Sequence, residues 1–502
     1  MINDRLTSRL LSSAVTALEK SVVPDIGSDG AATMLDIVIR TLRMLVAHYG
    51  HRAADLETLT ADARQLLSDA GLPPPETQDF PGASPLERLE AESDSLTERL
   101  AEQIPSLLER ATSTGGQDGD AVALLERIVS SQADFLATQD PDIRNGSGVV
   151  YRGGKIDRAN RPAPVSDAPL NDDSLTAYLR ARFPDSPGIR ATSVNVLAGG
   201  FSKNTILFDL HRPGGAVEPC VMRKDMSADF LFMEKSVVDE YPLLEKVYQA
   251  GLNVATPLWL EREKHWFNGS FFISRAVPGT SDINKWMSNT GAVSRQLAEI
   301  LAELHGYDLS AMSFPAEVAG LSAGAAIEQE ILYWQNLYQK YRTCRHPLLE
   351  IGFAWTLANI PGELFERPGR ILHGDVGFHN LMVKDGEISA LLDWEFAHFG
   401  DPAEDLIYVR PFVEQIADWD AFIGHYRDAG GGGYSPAVER FYKVWSFVRN
   451  AAGTRHARYL FENHLPDEIK LALPAWIFGH YLELDASKMV LDILKQSRET
   501  RP

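Results

Sequence analysis

The stretch ILHGDVGFHNLMV, from Ile371 to Val383, sets a histidine, an aspartate, a second histidine and an asparagine within eight residues, between two short apolar runs. It continues as KDGEISALLDWE to Glu395. Lys384-Asp385-Gly386-Glu387 has the Asp-Gly centre of a tight hairpin turn, flanked by Leu381–Val383 and Ile388–Leu392 as strands. Such a hairpin brings Asn380, just before the first strand, close to Asp393, just after the second. Asp375 lies five residues before Asn380, on the loop that feeds the ribbon. The spacing predicts three oxygen-bearing side chains at one end of a two-stranded ribbon.

Those residue types divide into two jobs. A carboxylate and an amide oxygen are hard ligands suited to Mg²⁺, which keeps waters and phosphate oxygens in its remaining positions; Asn380 and Asp393 fit that role. Asp375 is then left to receive a proton. One aspartate orienting a hydroxyl, beside an Asn/Asp pair holding a metal on a triphosphate, is the division of labour of phosphoryl transfer to an alcohol. His-Gly-Asp alone is a turn, and Asp-Trp-Glu alone carries nothing. The meaning lies in their order across one hairpin.

The upstream half supplies partners for a phosphate. Ala198-Gly199-Gly200-Phe201-Ser202-Lys203-Asn204 lies between two alternating segments, Ser193–Leu197 and Thr205–Leu210, and its glycines let backbone approach an anion closely. The strand CVMRK ends in Arg223 and Lys224, only one of which can face the cleft, because strand neighbours point to opposite sides. Further on, DEYPLLEKVYQAG has helical spacing at Tyr241, Leu244, Val247 and Tyr248, and carries Glu240 as a partner for the strand cation.

The chain as a whole bounds these readings. Its 502 residues exceed what one hydrophobic core supports, so two or three domains are expected. Two cysteines, Cys220 and Cys344, make neither a disulfide framework nor a zinc site and suit a reducing compartment. A net charge of −21 argues against non-specific nucleic-acid binding. The opening MINDRLTSRL lacks the order of a signal peptide, and no apolar run reaches the roughly 18–20 residues of a membrane span, so a cytoplasmic protein without membrane contact is expected.

Residues 1–140 hold 23 acidic and 11 basic side chains, more than half of the excess charge. Leu35, Val38, Ile39, Leu42, Leu45, Val46 and Tyr49 follow one helical face, as do Leu86, Leu89, Leu96, Leu100, Ile104 and Leu107, with Pro105 a kink or stop. The expected organisation is an acidic helical bundle over 1–138 for partner contact or self-association, and a linker over 139–174. A β-rich lobe over 175–282 and a helical lobe over 283–502 follow. Strands first and helices after, with a polar β island inside the helical part, is an α+β arrangement of two lobes.

A glycine loop, a strand cation, a helical glutamate, then HGDxxxxN and hydrophobic-Asp-Trp-Glu resembles the aminoglycoside phosphotransferase and choline kinase superfamily, whose bilobal fold is similar to that of protein kinases. The matching residues are His373-Gly374-Asp375, Asn380 and Leu392-Asp393-Trp394-Glu395, with Gly400-Asp401-Pro402, Asp405, Leu406 and the pair Leu304-His305. The resemblance covers roughly residues 175–480. It implies an enzyme that uses ATP and Mg²⁺, with Asp375 as the catalytic base and Asn380 and Asp393 as metal ligands. Arg223 would hold the phosphates beneath the loop formed by Gly199, Gly200, Phe201, Ser202 and Asn204, with Glu240 orienting it. Family members often carry Lys on that strand, and Lys224 takes the role if the register moves by one. Adenine would sit after the strand FFISR, around Ser274 and Ala276. His373 and Asp405 would brace the loop, while His379 falls in the variable part of the pattern and reads as solvent-facing.

Within the superfamily the layout, including EQEILYWQNLYQKY, is most similar to phosphotransferase domains associated with acyl-CoA dehydrogenases, which implies a hydroxyacyl acceptor. The run Arg449, Arg455, His456, Arg458 points the same way if it lines the acceptor pocket, since an anionic substrate complements it; as a solvated helix face it says nothing. An antibiotic or choline-type amino alcohol is the alternative acceptor. A nucleotide-binding pseudokinase or a scaffold is the alternative of another class.

Overall fold

A computed structural model of the chain describes residues 29–75, 84–112, 118–139, 170–197, 202–226, 231–342, 345–463 and 478–499, together with 15 and 18. Gly199, Gly200 and Phe201 lie outside the described residues, as does Cys344 and most of the linker expected over 139–174.

The first helices are α1 (Asp29–Asp69), α2 (Pro85–Ala101), α3 (Ile104–Thr112) and α4 (Gly119–Gln139). Ser84 caps α2 through a reciprocal pair with Glu87, which satisfies two amides that the first turn would otherwise leave open. Pro105 falls in the first turn of α3, where its missing N–H costs nothing, so it marks a helix break rather than a kink. Leu96, Leu100, Ile104 and Leu107 are buried as their spacing predicts, while Leu86 and Leu89 are half-buried.

After α5 (Asp172–Arg182) comes a five-stranded antiparallel sheet in the order β1-β2-β3-β5-β4. Its strands are β1 (Arg190–Val196), β2 (Lys203–His211), β3 (Val217–Asp225), β4 (Pro257–Glu261) and β5 (Phe271–Arg275). Two-residue alternation sends Ile206, Phe208, Leu210, Cys220, Met222 and Ile273 to one face, against Leu175, Tyr178 and Leu179 of α5. The other face is covered by α6 (Val237–Gln249), whose Tyr241, Leu244 and Val247 pack with Phe272. Tyr248, grouped with them by spacing, is exposed.

The second lobe is helical. It holds α7 (Thr290–Gly306), α8 (Ala323–Tyr341), α9 (Pro347–Ala358), α10 (Ala403–Val413), α11 (Trp419–Asp428), α12 (Pro436–Asn463) and α13 (Gly479–Glu499). Two small ribbons are set into it: β6 (Arg370–Leu372) with β9 (His398–Gly400), and the hairpin β7 (Leu381–Lys384) with β8 (Glu387–Leu391). The lobes are joined through Thr280, whose amide and carbonyl pair with those of Val383 at 2.9 and 3.0 Å. The chain thus adopts the expected two-lobed α+β arrangement with a helical region ahead of it.

The helices before residue 140 and the helical lobe share one hydrophobic cluster. Leu100, Ile104, Leu108 and Leu125 pack with Leu349 and Phe353 of α9 and with Val490 and Leu494 of α13. Ion pairs from Arg342 to Glu98 (3.2 Å) and from Lys495 to Glu126 (2.6 Å) lie at the edge of that contact.

Candidate active site

The loop before β7 is held by backbone contacts that its sequence makes feasible. Gly374 has φ +78°, and a Cβ there would collide with the Phe396 carbonyl, so glycine is needed for both conformation and space. The amides of His373 and Gly374 each donate to one oxygen of Asp405 at 2.8 Å, and Asp405 is also bonded to His305 at 3.2 Å. Burial alone would raise the Asp405 carboxyl, yet His305, His373 and the amide bonds outweigh it and hold it below the usual range. His373 Nδ1 accepts from the Asp375 amide at 3.2 Å, so its Nε2 carries the proton and donates to the Leu392 carbonyl at 2.9 Å. Burial pushes this imidazole down in pKa and keeps it neutral. Asp405 and His373 therefore brace the loop, and neither is free to react.

Asp375 emerges from that brace with every oxygen engaged. Its Oδ2 accepts from Asn380 Nδ2 at 3.0 Å and lies 3.5 Å from His379 Nε2, while its Oδ1 accepts from the Tyr408 hydroxyl at 2.5 Å. Burial would raise this carboxyl, but His379 and Tyr408 prevail and hold it well below the ordinary carboxylate range. His379 is partly exposed, as its variable position suggested, but its ring also reaches Asp375. The turn carrying Phe378–Asn380 swings its ring back over Asp375, four residues earlier.

The hairpin closes as its Asp-Gly centre predicts, with positive φ at Asp385 and Gly386, and the Leu392 amide bonds the Asn380 carbonyl at 2.8 Å. Asp393 follows with φ 67°, a left-handed conformation uncommon outside glycine and tolerated by Asp. Asn380 Nδ2 is committed to the carbonyl and carboxylate of Asp375, which leaves its amide oxygen as the remaining polar atom of that side chain.

Across the cleft, β3 resolves which cation faces inward. Arg223 Nη2 hydrogen-bonds Asp393 Oδ1 and lies 3.6 Å from Glu395, and its Nε donates to Glu240 at 3.3 Å. Lys224 points to the opposite face, where its ammonium donates to the Asp225 carbonyl at 2.6 Å and burial pushes it down to about 8. Ser202, the first described residue after the glycines, donates to Glu395 at 2.5–2.7 Å, and Asn204 pairs in register with Lys224 inside the sheet. Three carboxylates, from Glu240, Asp393 and Glu395, surround the single Arg223 guanidinium. Burial lowers that guanidinium's pKa, but Asp393, Glu240 and Glu395 outweigh it and keep the cation charged; burial raises all three carboxyls.

Residues 230–442 match the model of the phosphotransferase enzyme family. This part of the chain is similar to that family. Among curated proteins the chain is 24% identical over 253 residues to acyl-CoA dehydrogenase family member 11 of Mus musculus, across 48% of this chain and 31% of that protein. It is 26% identical over 197 residues to family member 10 of the same organism, across 38% of this chain and 18% of that one. The chain therefore spans less than a third of the length of the curated relatives it matches. Among solved structures it aligns with the macrolide 2′-phosphotransferase MphH from Brachybacterium faecium at 20% identity and TM-score 0.41, covering 60% of this chain and 98% of that one.

The structure also bears on two further expectations. On α12, Arg449 and His456 are buried and the Arg455 side chain is 13% exposed, so the run is not a solvated face. Arg449 is buried against Glu404 (3.2 Å), Arg455 forks onto Glu483 (2.5–2.6 Å), the His456 ring accepts from the Met233 amide, and Arg458 acts on Asp94 of α2. The helix lies between other helices, so its cations are neutralised inside the fold. At the end of β5, Ser274 is buried and the Ala276 amide donates to Pro219 at 2.9 Å, so that backbone donor is already engaged.

No set of three His, Cys, Asp or Glu side chains among the described residues is arranged to hold a metal by itself. Asn380 and Asp393 offer two oxygens, the number expected where Mg²⁺ relies on phosphates and waters for its other positions. The surplus of carboxylates over Arg223 favours an added cation, so the donor set fits. None of the described helices is long and apolar enough to cross a membrane.

Tyr408 was missed by sequence reasoning, which named Arg449 only as a candidate for the acceptor pocket. Tyr408 stands one helical turn after Asp405, a spacing that places both on one face of α10 and was the available signal. Nothing in the sequence connects Arg449 to Asp375.

Proposed function

We propose that the chain is an ATP- and Mg²⁺-dependent kinase that moves the γ-phosphate onto an alcohol hydroxyl. The observation that carries this reading is the junction of two bonded groups. Asp375 shares a hydrogen bond with Asn380, and Asp393 is tied to Arg223, which is itself paired with Glu240.

In this reading Arg223 meets the ATP phosphates, held in direction by Glu240. Asn380 and Asp393 would hold Mg²⁺, which would supply positive charge to the phosphates. Asp375 accepts the hydrogen bond of the acceptor hydroxyl in place of one of its present donors. The acceptor oxygen bonds to the γ-phosphorus, the bond to the β-bridging oxygen breaks, ADP leaves and the proton passes to Asp375. A carboxylate held this far below its usual range is a weak base. Its main contribution is orientation, with proton transfer late, as suits a loose transition state. Adenine is assigned to the segment at Ser274–Ala276, where a carbonyl rather than the Ala276 amide would have to meet the base.

The acceptor we favour is a hydroxylated acyl compound. Two observations support it: the relatives are acyl-CoA dehydrogenase family members, and Tyr408, which bonds Asp375, belongs to an aromatic cluster with Phe412 and Phe378 whose neighbouring ring centroids lie 5.7–6.2 Å apart. No activity is assigned to residues 1–138, for which contact with a partner or a second copy remains the proposal.

The test is ADP formation from Mg-ATP with hydroxyacyl, amino-alcohol and antibiotic acceptors, for wild type and Asp375→Ala. Acceptor-dependent ADP release lost in the variant is expected. Equal release by both proteins removes Asp375 from the chemistry, and no Mg-ATP binding at all leaves the scaffold reading.

A further inference from the structure

Arg449, on α12, touches the parts of the domain that hold Asp375 in place. Its Nη2 donates to the Gly374 carbonyl at 2.6 Å, the peptide unit immediately before Asp375. Its guanidinium lies 5.2 Å from the centre of the Tyr408 ring, whose hydroxyl bonds Asp375 Oδ1. It also lies 5.6 Å from the ring of Phe396, whose carbonyl crowds Gly374 and which closes the turn that begins at Asp393.

The remaining contacts say how Arg449 is itself fixed. Its side chain is 3% exposed, and Nη1 meets Glu404 at 3.2 Å. Glu404 also accepts from Trp445 Nε1 at 3.1 Å and lies 3.3 Å from His398 Nε2. Glu404 and its neighbour Asp405 thus serve the same loop from the first turn of α10: Asp405 takes the amides of His373 and Gly374, and Glu404 anchors the cation that takes the Gly374 carbonyl. A buried cation could neutralise Glu404 without touching the loop. Here one planar fork does both, which a point charge cannot reproduce.

We propose that Arg449 is a positioning residue that sets the carboxylate of Asp375 by two routes, the Gly374 carbonyl and the ring of Tyr408, and that Tyr408 delivers the second route through its hydroxyl. This rests on the reading of Asp375 as the group that meets the attacking oxygen. Neither residue contacts a bound nucleotide in that reading, so losing them changes the rate of phosphate transfer and leaves nucleotide affinity as it was.

The experiment measures phosphate release from Mg-ATP with water as acceptor, and Mg-ATP affinity by calorimetry, for wild type, Asp375→Ala, Tyr408→Phe, Arg449→Lys and Arg449→Met. Tyr408→Phe keeps the ring and removes only the hydroxyl, so it answers even if Arg449→Met fails to fold. The expected result is a fall in kcat of about 10-fold or more for Tyr408→Phe and more for Arg449→Met. Arg449→Lys should fall between wild type and Arg449→Met, with KM and affinity for Mg-ATP within about 2-fold throughout. If Asp375→Ala lowers kcat while Tyr408→Phe and Arg449→Lys match wild type, the positioning role is wrong and the reading of Asp375 stands. If Asp375→Ala itself matches wild type, the reading beneath it fails. Losses confined to Mg-ATP affinity, with kcat unchanged, also overturn the proposal.

Discussion

Arg223 and Asp393 form a hydrogen-bonded ion pair although 170 residues separate them in the chain. The pair joins the third strand of the sheet to the end of the β7–β8 hairpin, and it draws Glu240 and Glu395 to the same guanidinium. A residue proposed to hold phosphate is thus bonded to one proposed to hold metal.

Mg-ATP therefore has to meet both members. The rise in melting temperature on adding Mg-ATP should be present in wild type and lost in Asp393→Ala and Arg223→Met, measured by thermal unfolding with and without nucleotide. Arg223→Lys should retain part of it, since one ammonium cannot span Glu240 and Asp393 as the fork does.

Adjacent cations on β3 should behave oppositely. Arg223→Met is expected to lower turnover by about 100-fold or more, because it removes the cation facing the phosphates and deprives Asp393, Glu240 and Glu395 of their shared guanidinium. Lys224→Met should leave turnover within about 2-fold of wild type, since its ammonium serves only the Asp225 carbonyl on the far face. Steady-state ADP release at saturating Mg-ATP separates the two.

Gly374→Ala should destabilise the fold by about 2 kcal/mol or more, through positive φ and collision with the Phe396 carbonyl together. The midpoint of urea unfolding reads this directly. An unchanged midpoint would mean that the loop adapts without cost.

His398 gives stability a pH dependence of definite sign. Burial lowers this imidazole's pKa, but Glu404 and Glu330 outweigh burial and raise it to about 9, above the ordinary value of 6.5. A raised folded value means that the folded chain keeps a proton the unfolded chain releases. The contribution is complete below pH 6.5 and is lost as pH rises through 9, with an amplitude on the order of 3 kcal/mol. Melting temperature should fall across that interval in wild type, and the slope should flatten in His398→Gln.

The legible part of the site was the part written locally. Asp375, Asn380 and Asp393 sit within twenty residues, and an Asp-Gly turn with alternating flanks specifies how they meet. Glycine at 374 and Glu240 as the partner of a β3 cation were legible for the same reason, since each depends on a turn, a strand or a helical period that short segments encode. The basic run on α12 misled because side-chain type does not say which helix packs over it. The contact of His379 with Asp375 was not legible because a spacing pattern does not tell which way a ring turns.

By itself the sequence determined the two-lobed α+β class, the β7–β8 hairpin and its three oxygen-bearing groups, because hydrophobic period and turn chemistry act over a few residues. Only the tertiary structure decided that Arg223 rather than Lys224 faces the cleft, that Tyr408, His379 and Arg449 converge on Asp375, and that the α12 cations are neutralised inside. Those relations join segments tens to hundreds of residues apart. They are set by how the buried apolar faces stack, and a one-residue change in a strand's register is enough to exchange its two faces.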